Sequence, residues 1–167
     1  RELVCTLIDI VSKNGNLLLN VGPRADGSLG ETERKILADI GQWMDVNGCA
    51  IFDSSLWRTS MEGPTKEPEG QFKESPIAYT SKDFRFTVTG THLNVFVMKY
   101  PKDGRVLIRA LADAKDQNLP DFHGIISDVT VLGFDEKPRW TKTPDGLDVQ
   151  TRHVRSDMPI VLRVALK

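Results

Sequence analysis

The stretch Val11–Gly27, VSKNGNLLLNVGPRADG, decides the reading of this chain, because it joins a helix end, a turn, an apolar run and a Gly-Pro exit. Asn14-Gly15 is a turn pair that tolerates positive φ, Leu17 to Val21 is a short run of the kind buried on both faces, and Gly22-Pro23 stops it. The order predicted is helix, turn, parallel strand, loop.

Upstream, Leu3, Val4, Leu7, Ile8 and Val11 form one apolar stripe at helical period. Downstream, residues 31–47 place Ile36, Leu37, Ile40, Trp43 and Met44 on one face. Glu31 and Glu33 sit in the first turn, where the helix dipole favours acids, and Asn47-Gly48 predicts a left-handed C-cap. One strand between two helices buries neither of its faces and makes no sheet, so this piece belongs to a larger α/β layer structure. Residues 1–50 are therefore expected to be unstable as a compact unit by themselves. Their helices' apolar stripes would face nothing within the chain, and cover would come from outside it.

The second half follows a different pattern. Residues 84–89, 92–98, 106–111, 126–132, 146–149 and 160–166 alternate apolar and polar positions at least in part, and turn chemistry separates them at short intervals, as at Pro101 to Gly104 and Pro144 to Gly146. With no helical stretch between them, these strands predict an antiparallel sandwich. The stretch from residue 53 to 78, with Ser54, Ser55, Gly63, Pro64, Pro68, Gly70 and Pro76, has linker composition, while Trp57 and Phe72 suggest that it runs along a surface. The division expected is an α/β end over residues 1–57, a linker over 58–78 and a β-sandwich over 79–167.

The run from Leu7 to Pro23, then Asp26-Gly27, Ile40 to Trp43, Asn47-Gly48, Ala50-Ile51 and Trp57, resembles the end of the catalytic domain of glycoside hydrolase family 29, the α-L-fucosidases. Gly63 to Lys66, Tyr79 to Ser81 and Asp83 to Phe86 resemble the passage from that family's barrel into its C-terminal β-sandwich. The resemblance implies the fold class, an α/β fragment of a (β/α) barrel end followed by an all-β antiparallel sandwich. It also implies the function, the C-terminal portion of a retaining exo-α-L-fucosidase that removes terminal α-L-fucose from glycans. Such enzymes need two carboxyl groups about 5 Å apart. In the family, the nucleophile Asp and the acid/base Glu lie on earlier strands or loops, so no residue of this chain is given a catalytic role.

What the resemblance carries over is the mouth of the last barrel strand. Leu17 falls where relatives often have an aromatic residue walling the sugar pocket. Asn20 lies near the strand's C-terminal end, where barrel active sites gather. Trp57 falls at the junction of barrel and sandwich. These three are the candidate substrate-binding residues, and each has a plainer reading: core packing for Leu17, loop hydrogen bonding for Asn20, interface packing for Trp57. Trp140, on an expected edge strand, is the other indole able either to stack on a sugar or to cover the core. The alternative to an enzyme portion is a non-catalytic β-sandwich module that binds carbohydrate or another protein.

Charge and composition exclude other classes. Lys plus Arg number 22 against 23 Asp plus Glu, so no basic field exists to gather nucleic acid or an anionic membrane. No apolar run reaches membrane-spanning length. The loop Gly22 to Gly27 lacks the spacing of phosphate motifs, and His92, His123 and His153 stand apart without ligand spacing, so neither metal nor cofactor is expected. Cys5 and Cys49 read as buried free thiols, with a disulfide or metal role as the other options. The partners implied are a fucosylated glycan and, over the barrel fragment, either the remainder of the catalytic domain or a second copy of the chain.

Overall fold

The structure is a computed structural model that describes residues 1–66, 77–112 and 124–167. Pro68, Gly70, Phe72, Pro76 and His123 lie outside these residues. The elements run α1 (Glu2–Ser12), α2 (Glu31–Asn47), a short 3-10 turn (Gly48–Ala50), β1 (Met61–Glu62), β2 (Phe84–Thr89), β3 (His92–Val97), β4 (Arg105–Ile108), a second 3-10 turn (Arg109–Leu111), β5 (Ile126–Val131), β6 (Arg139–Thr143), β7 (Gly146–Gln150) and β8 (Ile160–Leu166). The strands predicted by alternation are all present. β6 carries Trp140 on the edge of its sheet, and β1, which the sequence hid within linker composition, pairs with β2.

Among the described residues, every strand pairing is antiparallel. One sheet has the order β1-β2-β3-β8-β5 and the other β4-β7-β6. Register decides which side chains meet: Phe84, Phe86, Leu93, Val95, Leu162 and Val164 share one face of the larger sheet and join Val106, Ile108, Leu147 and Val149 of the smaller in a single core. Because successive strand residues point to opposite faces, Arg85, Thr87, Asn94, Phe96 and Val161 look the other way. They too are buried or nearly so, which a sandwich facing solvent on its outside would not require.

The two helices supply the cover. Val4, Cys5 and Ile8 of α1, Trp43 of α2, Ala50, Ile51 and Tyr79 form a second core with Phe96, Met98 and Val161 on the outer face of the larger sheet. The result is three layers: helices, five-stranded sheet, three-stranded sheet. This corrects the expectation that the helix stripes face nothing within the chain. The buried face of α1 is also turned from the apolar stripe: Val4, Cys5, Ile8, Asp9 and Ser12 are its enclosed residues. Two polar residues belong to that face because the sheet opposite offers partners for them.

α2 is less engaged. Trp43 and Asn47 are its buried residues, and Ile36 on the predicted face stays 40% exposed. Its end also differs from expectation. Gly48 has φ −58°, so the chain continues from Asn47 into the 3-10 turn, and the left-handed residue comes only at Asp53, with φ 54°. Cys5 is enclosed and Cys49 exposed, both as free thiols, so burial holds for one of the two. Burial pushes the Cys5 thiol up from its ordinary value, against the opposing pull of Arg1.

Candidate functional site

The segment that carries Leu17 and Asn20 is launched by a helix cap built from local sequence. Asn14 adopts φ 65°, its N–H donates to the Val11 carbonyl at 2.9 Å, and the Gly15 N–H donates to the Ile10 carbonyl at 2.9 Å. This is the Schellman arrangement, with Asn14 as the left-handed residue. Gly15 is required for a second reason: a Cβ there would lie 2.8 Å from Ile10 Cγ2 and 3.1 Å from the Ile10 carbonyl oxygen. The exit direction of the chain is thereby tied to the last turn of α1.

Beyond the cap, the predicted strand is absent. Residues 15–20 belong to no regular element, Leu17 is half-buried, Leu18 is 94% exposed and Asn20 is exposed. A strand satisfies its backbone only through neighbours, and no described strand of this chain pairs with it. After it, the Arg24 N–H donates to the Ser28 carbonyl at 2.8 Å, and Asp26 accepts from the Ser28 N–H and hydroxyl, which lowers the Asp26 pKa.

Trp57 stands elsewhere. It packs against the sandwich core with its ring 4.9 Å from that of Phe86, and the Arg58 guanidinium lies 4.9 Å from the indole centroid. Trp140 packs on the same core. Leu17 and Asn20 share one segment and belong to neither core cluster. Three cavities, of about 430, 300 and 590 Å³, border Arg1 beside the helix layer, and Leu17, Asn20 and Trp57 line none of them.

The residues that sequence reasoning missed tie these pieces together. Arg85, wholly enclosed on β2, donates from Nε to Asp9 Oδ1 of α1 at 2.5 Å and from Nη1 to the Phe84 carbonyl at 3.1 Å. Its guanidinium lies 5.4 Å from the Tyr79 ring centroid. Lys13 Nζ reaches Asp9 Oδ2 at 2.7 Å. Farther along the sheet, the Thr87 hydroxyl donates to the Ala50 carbonyl at 2.8 Å, and the Trp43 indole N–H donates to the Pro159 carbonyl at 2.9 Å. The signal was present in the sequence as an acid inside an apolar helix stripe and a cation inside a strand whose other residues are apolar or hydroxylated.

Two carboxylates fasten the connecting stretch. Burial alone would raise Asp83, but hydrogen bonds from the backbone and hydroxyls of Thr80 and Thr65 outweigh it and hold the carboxyl below its ordinary 3.8. Glu62 accepts the N–H groups of Arg109 and Ala110 at 2.9 and 2.7 Å, and burial leaves its pKa raised. Among the described residues, no three His, Cys, Asp or Glu gather as a metal site, and no helix is long and apolar enough to cross a membrane.

The α-L-fucosidase family profile matches residues 1–49, which contain α1, the unpaired segment and α2. Rat tissue α-L-fucosidase is 28% identical over 144 residues, covering 86% of this chain and 26% of the rat protein. Human plasma α-L-fucosidase is 33% identical over 108 residues, covering 65% and 20%. The crystal structure of Thermotoga maritima α-fucosidase with a mechanism-based inhibitor superposes with a TM-score of 0.70 at 25% identity, covering 98% of this chain and 33% of that one. The chain is thus similar to glycoside hydrolases. Within them it is similar to the C-terminal part of the family 29 α-L-fucosidases, and it spans only about a quarter of the length of rat tissue α-L-fucosidase.

Proposed function

We propose that this chain is the C-terminal portion of a retaining exo-α-L-fucosidase acting on fucosylated glycans, with the nucleophile and the acid/base upstream of Arg1. In this reading, residues 17–21 are the last strand of a (β/α) barrel. Leu17 and Asn20 lie at its mouth against the sugar, and Trp57 stands where barrel meets sandwich. The observation that supports it most is the contrast at the profile-matched end: α1 is docked on the sheet and Trp43 anchors α2 to the same core, while Leu18 between them is 94% exposed, as an inner strand without neighbours would be. The remainder of the catalytic domain is the cover proposed for it.

The binding-module alternative needs an indole free to stack on sugar. Trp57, against Phe86 and Arg58, and Trp140, against the core, are each partly buried by packing, which leaves less of either ring to stack on a sugar. An assay of the full-length protein beside the 167-residue chain, on an aryl α-L-fucoside, tests the proposal. The long form should turn over and the short one should not, because nucleophile and acid/base assistance are each worth orders of magnitude in rate. Turnover by the short chain that is abolished by changing one of its own Asp or Glu residues would place the chemistry here and refute the proposal.

A further inference from the structure

We infer that Arg85, through Asp9, is a positioning residue for the sugar-binding segment, so that the sandwich sets the geometry of the fucose pocket without touching the sugar. The inference rests on the proposed α-L-fucosidase reading and on the placement of Leu17 and Asn20 within it.

Arg85 and the segment are linked by a chain of fixed joints. The first is the guanidinium, immobilised inside the molecule by the Phe84 carbonyl and the Tyr79 ring. Its Nε–H then holds Asp9 Oδ1, which pins both the rotation and the translation of α1 against β2. An apolar contact would not do this, because hydrophobic packing is non-directional while a charge-assisted hydrogen bond is short and angular. Asp9 is also gripped by Lys13, four residues on, and the Ser12 hydroxyl donates to the Asp9 carbonyl at 2.8 Å, so the last turn of α1 is bound to the same point. That turn ends in the cap formed by Asn14 and Gly15, which sets the exit toward Leu17. Slippage of α1 by one residue would rotate that exit by about 100° and shift it by about 1.5 Å. In the proposed reading Leu17 and Asn20 touch the sugar and not the reacting bond, so displacing them weakens substrate binding more than it slows the chemical step.

A purely stabilising role predicts something different, and the two are separable. Replacing a buried ion pair by apolar residues of similar volume is often neutral or stabilising. In the full-length protein, the double variant Asp9→Leu/Arg85→Met should therefore melt cooperatively within about 5 °C of wild type, while KM for an aryl α-L-fucoside rises at least about ten-fold and kcat falls by less than about three-fold. Arg85→Lys, which keeps the charge but loses the planar fork, should give a smaller rise in KM of about three-fold or more. An unchanged KM in either folded variant, or a loss confined to kcat, overturns the inference. So does failure of both variants to fold, because the pair would then serve stability and not placement. An inactive wild-type protein would instead refute the fucosidase reading on which the inference stands.

Discussion

Helix α1 and the segment from Leu17 to Val21 are neighbours in sequence, both rich in apolar residues, and both within the part that matches the α-L-fucosidase profile, yet α1 buries one face while the segment leaves Leu18, Leu19 and Asn20 exposed. The difference lies in where each finds its backbone hydrogen bonds. A helix satisfies its own N–H and C=O groups, so α1 needs only one surface to dock on, and β2, β3 and β8 provide it. A strand must borrow partners on both edges, and none comes from the described strands. Helices can thus stay docked on a sheet while the apolar segment between them, with no described strand beside it, stays irregular.

Ways to break that contrast begin with the docked side. Ile8 is fully enclosed between α1 and the larger sheet, so Ile8→Ala should destabilise the 167-residue chain by about 2–5 kcal/mol in urea unfolding. A loss below about 0.5 kcal/mol would mean that α1 is not docked.

Asp83 ties residues near the start and end of the connecting stretch to β2, and its lowered pKa makes that tie dependent on pH. The folded state binds a proton less readily than the unfolded state. Its stabilisation is therefore complete above the ordinary carboxylate value of 3.8 and is lost as pH falls through the lower folded-state value. Asp83→Asn should cost about 1–3 kcal/mol at neutral pH and flatten the acid limb of a stability-against-pH curve below about pH 4. Glu62, whose pKa is raised, contributes with the opposite sign: its stabilisation is present below the ordinary glutamate value of 4.5 and is lost as pH rises through the folded-state value.

The boundary between helix and segment is probed by Gly15→Ala, which sets a methyl against Ile10 and should cost about 1–3 kcal/mol in the same unfolding measurement. The smallest effect belongs to the exposed side. Leu18→Ser should change the stability of the 167-residue chain by less than about 0.5 kcal/mol. In a full-length protein that completes the sheet around it, the same change should cost more than about 2 kcal/mol, because a hydroxyl is then buried in place of an isobutyl group.

Much of the fold was legible because alternation at period two survives local accident: β2, β3, β5, β7 and β8 fall where Phe84, His92, Ile126, Gly146 and Ile160 open their patterns. The cap at Asn14-Gly15 was legible because positive φ is a property of one residue. The helix layer was not, since the identity of a docking face depends on what lies opposite. Asp9 has its partner in Arg85, 76 residues away, which the helix stripe alone does not reveal. The strand predicted at Leu17 to Val21 did not form, because an apolar run signals burial but not the partner strands that pairing requires, and none of the described strands lies beside it. β1 was missed because two residues, Met61 and Glu62, show no period at all.

Native-state hydrogen exchange on the 167-residue chain tests the contrast most directly, because it reads backbone protection residue by residue. The account predicts that amides of α1 from Thr6 to Ser12 exchange as slowly as those of β3 and β8, while Leu18 and Leu19 exchange at the rate of an open chain. α1 exchanging as fast as Leu18 and Leu19, with β3 and β8 still protected, would contradict it.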